Sequence, residues 1–166
     1  MLIQRGSTNH LATYLNDHLG GATVGTRLAR RIAENNRSNE YGAVLEQVAA
    51  EIEEDREALL ELMKRLSVSE NQLKVVTAWA TEQATRLKLT SLLTGSPQLS
   101  RLEELEALSL GVAGKLAMWT VLAPTVGGDE RLRGIDLQEL IKRARSQRQR
   151  IERLRRRAAV EAFASA

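Results

Sequence analysis

Apolar residues recur along this chain at alternating steps of four and three, the spacing that lines up one face of an α-helix, and no stretch alternates with the period of a strand. The first seam, Leu11, Leu15, His18, Ala22, Gly25, Ala29 and Ile32, predicts a helix over about 9–34, with Thr8 or Asn9 as its N-cap. Its middle is made of small residues: Gly20, Gly21, Ala22, Thr23 and Gly25. Glycines there cost helix propensity and let a neighbouring backbone come close. A polar turn at 35–39 leads into a second helix over about 40–66, whose face of Leu45, Val48, Ile52, Leu59, Leu62 and Leu66 is interrupted by a charge, Asp55.

Ser67 with Glu70 and Ser69 with Gln72 each form a capping box. They open a third predicted helix over about 70–93 with a seam of Leu73, Val76, Ala80, Gln83 and Leu87. Gly95 closes it. Ser96 followed by Pro97, or Ser100 with Glu103, starts a fourth helix over about 98–123 through Leu102, Leu105, Val112, Leu116 and Trp119. Pro124 lacks the amide that a further turn requires and is expected to stop it. After a glycine-containing loop to Ile135, Asp136 and Glu139 box the start of a last helix over about 137–163, with Leu137, Leu140, Ala144, Ile151, Leu154 and Ala158 in register and Gln147 breaking the seam. Helices of about 25 residues, each about 37 Å long, suit side-by-side packing. The expected fold is an all-α, antiparallel up-and-down bundle of four or five long helices in one domain spanning 1–166.

The 43% hydrophobic and 27% charged residues are the balance of a folding chain and not of a disordered one. Aromatics are only 3%, so aliphatic side chains must build the core. The absence of cysteine removes disulfides, thiolate metal sites and thiol nucleophiles, and is compatible with a reducing cytoplasm. Met1 to His10 holds no apolar signal core. Leu105 to Ala123 is the most apolar run; Glu106, Gly111, Gly114 and Lys115 within it make a deeply buried helix a better reading than a membrane span. A cytoplasmic protein without membrane contact is therefore expected.

Short turns between the first three predicted helices place His18, Asp55 and Glu82 at similar heights, with Glu51 and Glu54 close by. Neutral imidazole and ionised carboxylates converging from several helices are the ligand chemistry of a divalent metal. The competing reading pairs His18 with Asp55 inside the bundle, because buried polar groups need partners. The fourth helix offers only Ser109, Leu110 and Gly111 at that height. Long helices carrying Glu51 with Glu54 and Glu103 with Glu106 resemble the ferritin-like carboxylate proteins, a resemblance that implies a metal-binding bundle. Glu54 and Glu106 stand where that family carries histidine. The stretch from Tyr14 to Leu19 is similar to the opening of small uncharacterised bacterial helical proteins, which implies no activity.

The last helix carries Lys142, Arg143, Arg145, Arg148, Arg150, Arg153, Arg155, Arg156 and Arg157, with Glu152 the one acid among them. Such a helix can neutralise a nucleic-acid backbone or lie on an anionic membrane, with strong salt dependence. No aromatic interleaves the arginines to stack on bases. The second helix is correspondingly acidic, at Glu46, Glu51, Glu53, Glu54, Asp55, Glu57 and Glu61, so the opposite stripes can meet within or between chains. The formal net charge is only +3. No motif pairs a nucleophile with a base. The sequence thus reads as a non-catalytic interaction or structural module, without cofactor and homo-oligomeric. The alternatives are a ferritin-like bundle holding a divalent metal and a nucleic-acid-associated protein acting through its arginine helix.

Overall fold

A computed structural model describes residues 3–70 and 95–164, with side chains from His10 onward. The first helix, α1, spans Ile3–Asn35 and so begins a turn and a half before the predicted cap, since nothing between Ile3 and Asn9 breaks a helix. Asn36 turns the chain: its amide reaches Ile32 O and Ala33 O, and its side chain donates to Ile32 O at 2.8 Å. Helix α2 then spans Gly42–Arg65. The predicted third helix, with its seam and Trp79, lies outside the described residues.

Helix α3 spans Pro97–Val126. Of its two candidate starts the first is used: Ser96 Oγ accepts from Leu99 N at 3.3 Å, and Pro97 takes a first-turn position where its missing amide costs nothing. Pro124 does not end the helix, contrary to expectation, and α3 runs on to Val126. The proline falls in the last turn, where a single ladder bond is lost, and Thr125 Oγ1 donates to Val121 O at 2.8 Å beside it. The loop beyond holds a short 3₁₀ turn at Glu130–Leu132. Helix α4 spans Leu137–Ala164 and opens on Asp136, whose carboxylate accepts from Glu139 N at 3.0 Å.

These helices form an all-α bundle, and no strand occurs among the described residues. Helix α1 packs between α2 and α3, while α4 packs on α3 and touches α2. Arg101 of α3 fixes the directions, because it donates to Asn36 at 2.8 Å and pairs with Glu161 of α4 at 2.9 Å. The α1–α2 turn, the start of α3 and the end of α4 therefore share one end of the bundle. At the other, Arg65 donates to Arg133 O at 2.7 Å.

The buried side chains fall into two clusters along the bundle axis. Leu15, Leu62, Met63, Trp119, Leu122 and Ile141 centre one, and Ile32, Tyr41, Leu45, Val48, Leu105 and Ile151 the other. Helix α3 is long and apolar enough to cross a membrane by length and composition alone, yet 39% of its most apolar window is buried in the bundle. The expected deep burial therefore holds only for its inner face. Leu110, Gly111, Gly114, Ala117, Val121 and Pro124 are exposed.

Candidate functional site

Three polar residues that interrupt apolar helix faces meet between the two core clusters. Asp55 of α2 has a side chain with 0% exposure. It receives the Lys115 ammonium from α3, Gln147 Nε2 from α4 at 3.0 Å and Arg143 Nε at 2.7 Å. Lys115 also donates to Gln147 Oε1 at 2.6 Å. Arg143 reaches Glu54 at 2.8 Å, and Arg150 pairs with Glu51. The result is a layer of alternating charges, in which every proton that Lys115 and Arg143 give to Asp55 satisfies a buried acceptor.

The electrostatics follow from burial and pairing together. Desolvation pulls the Lys115 ammonium below its ordinary pKa, and the Asp55 charge opposes that without cancelling it. Burial pushes the Glu51 carboxyl upward, but Arg150, with Gln147 and Gln47, outweighs it and leaves the group below the usual carboxylate range.

The structure separates the residues that sequence heights brought together. His18 is half-buried on α1, its ring edge-on to Tyr14 with centroids 4.5 Å apart. Burial lowers its pKa, and Asp17 only partly offsets the shift. Asp55 hydrogen-bonds to α3 and α4 instead of to His18, although both line one groove. Glu51 and Glu54 each face an arginine of α4, and Glu82 lies outside the described residues. Among the described residues no three histidine or acidic side chains are grouped as a metal would need. Lys115 was the residue to find. It is the one cation in the apolar stretch of α3, one turn beyond the height at which that helix was expected to contribute nothing.

The basic helix divides into two sets. Its inner arginines, Arg143 and Arg150, meet the acidic face of α2 within the same chain as above, and the exposed Arg157 pairs with Glu40 in the turn before α2. Arg155 pairs with Glu106 at 3.0 Å and with Glu152 at 2.8 Å, and Arg156 with the same Glu152 at 2.8 Å. Lys142 pairs with Glu139 at 3.4 Å, and the remaining cations, Arg145, Arg148 and Arg153, are exposed and form no ion pair among the described residues.

The groove shared by His18 and Asp55 runs between α1 and α3 and has a volume of about 240 Å³. Gly21 and Gly25 line one wall, Gly111 and Gly114 the other, and Lys115 and Asp55 lie at its floor. At each of those glycines an added Cβ would meet nothing within 4 Å. Close packing among the described residues therefore does not explain them, although each weakens its helix by roughly 1 kcal/mol relative to alanine. Comparison with protein-family models, with curated proteins and with solved structures finds no match to this chain.

Proposed function

We propose that the chain is a non-catalytic helical interaction module that associates with a second copy of itself through the glycine-lined face of α1 and α3. One observation carries this reading: four helix-interior glycines face open space along a single groove, flanked by exposed Leu110 and Val121. From Leu110 to Thr125 every exposed position of α3 is uncharged. A helix of another molecule laid on this face would bury the apolar side chains and approach the glycine backbones closely. The apolar seam of the last helix is not available for that purpose, because Ile141, Ala144, Gln147, Ile151 and Ala158 are buried within their own bundle.

The polar layer supports a structural module over an enzyme. Its charges neutralise one another, and single polar residues in an apolar core specify register between helices. The face is small. Two helices about 10 Å across, over about 25 Å of length, offer roughly 500 Å² per partner, the low end for specific interfaces. A concentration-dependent dimer follows.

Light scattering coupled to gel filtration, from micromolar to near-millimolar protein, tests the reading. The expected result is a rise from the 18.4 kDa chain mass toward twice that value. Leu110→Glu and Gly114→Leu should each hold the protein at chain mass while leaving helicity unchanged. A chain mass at every concentration would refute the dimer. A dimer untouched by both substitutions would refute the face.

A further inference from the structure

The outward face of α4 carries a pattern distinct from the α1–α3 groove. Counting at 100° per residue, Lys142, Arg145, Gln149, Arg153, Arg156, Val160 and Phe163 fall on one side of the helix, and all are exposed. Arg148 and Glu152 border the stripe. The last two residues of the stripe are apolar and the most open large hydrophobic side chains described, Val160 at 69% and Phe163 at 66% exposure. Phe163 is the chain's one phenylalanine. An exposed phenylalanine in line with Arg145 and Arg153, which form no ion pair among the described residues, is costly in water and packs on none of them.

We infer that this stripe docks on an anionic lipid bilayer, with the arginines against the headgroups and Val160 and Phe163 entering the interface. Charge complementarity selects the partner. Arg145, Arg148 and Arg153 have no acid of their own among the described residues, while Glu152, the acid bordering the stripe, is held by Arg155 and Arg156. From Lys142 to Phe163 the stripe is about 32 Å long on one helix face, a length that suits lying along a surface. A nucleic-acid strand would use the arginines and could stack on Phe163, but it gives no role to Val160 and finds no aromatic between the arginines. Sequence alone favoured no membrane contact because Glu106, Gly111, Gly114 and Lys115 within the most apolar run argue against a membrane span, a reading that does not bear on a helix lying on a surface. The exposure of Val160 and Phe163 changes that balance.

The test is flotation of the full chain with phosphatidylglycerol-containing vesicles and with phosphatidylcholine vesicles, alongside titration with a single-stranded oligothymidine. The chain should float with the anionic vesicles alone, and added salt should release it. Replacing Arg145, Arg148 and Arg153 together by glutamine should weaken partitioning by about a hundredfold, at about fivefold for each cation. Phe163→Ser should weaken it about tenfold further. None of these side chains holds an ion pair among the described residues, so circular dichroism should be unchanged and, with it unchanged, loss of binding cannot be put down to unfolding. Failure to float, or flotation indifferent to Phe163→Ser, would overturn the inference. So would tighter binding to the oligonucleotide than to the vesicles, lost with the same substitutions.

Discussion

Removing Asp55 tests whether the polar layer is held as the structure shows. In Asp55→Ala the Lys115 ammonium, whose side chain is 13% exposed, loses its carboxylate and keeps only Gln147 Oε1 at 2.6 Å. Arg143 retains Glu54 at 2.8 Å and is a quarter exposed, so it relaxes toward solvent at little cost. The penalty therefore comes from one stranded charge, about 3 to 5 kcal/mol for a buried pair broken from one side. Lys115→Met should cost less, about 1 to 3 kcal/mol, because Asp55 keeps Arg143 at 2.7 Å and Gln147 at 3.0 Å. In the double variant Asp55→Ala with Lys115→Met neither charge is stranded, and the loss should be well below the sum of the single losses, with a coupling of about 2 to 3 kcal/mol. Urea unfolding followed by circular dichroism, with the slope checked for constancy, measures all the corners of this cycle. An Asp55→Ala variant within about 0.5 kcal/mol of the parent, or losses that simply add, would refute the buried pair.

Other consequences concern titration, caps and close approach. The His18 pKa is lowered by burial, against Asp17, so the unfolded chain binds the proton more readily. Stability is then full above the unfolded value of about 6.5 and falls as pH drops below it; a urea series should show this slope flattened in His18→Gln, and equal slopes would contradict it. The Glu152 carboxyl, lowered to about 2 by Arg155 and Arg156, acts in a separate and more acidic window. Ser96→Ala removes the cap on Leu99 N and should lower the thermal midpoint through a loss of about 1 kcal/mol, whereas no change would show the cap idle. Gly42→Ala places a Cβ 2.6 Å from Asn36 O and 2.9 Å from Arg37 O, and should cost about 1 to 3 kcal/mol in the same assay. A neutral result there would mean that the turn can shift.

What could be read in advance was mostly local. The caps at Ser96 and Asp136 and the seams of α1, α2 and α4 rest on bonds within a turn or on one helical face, so the sequence spells them out. Pro124 misled because its cost depends on how many ladder bonds lie beyond it, and near a helix end few do. The polar layer was half legible. Asp55 and Gln147 stood out as seam breaks, but their partner Lys115 sits a turn away from the height counted along straight helices, and pairing height depends on tilt and loop geometry. Likewise a charged seam residue does not declare its partner, and α3 and α4 supplied what α1 was expected to supply. The glycines of α1 were visible as small residues, but their facing of open space beside Gly111 and Gly114 emerges only once α1 and α3 are side by side.

The central claim is that the α1–α3 face is an interface between copies of this chain. Sedimentation equilibrium of the full chain beside Gly114→Leu tests it most directly, since that leucine would fill the space the partner's helix needs and, among the described residues, meets no atom within 4 Å at Cβ. The account predicts a concentration-dependent monomer–dimer equilibrium for the parent and a single species near 18.4 kDa for the variant, with equal helicity. Identical sedimentation of the two proteins, whether as monomer or as dimer, would contradict it.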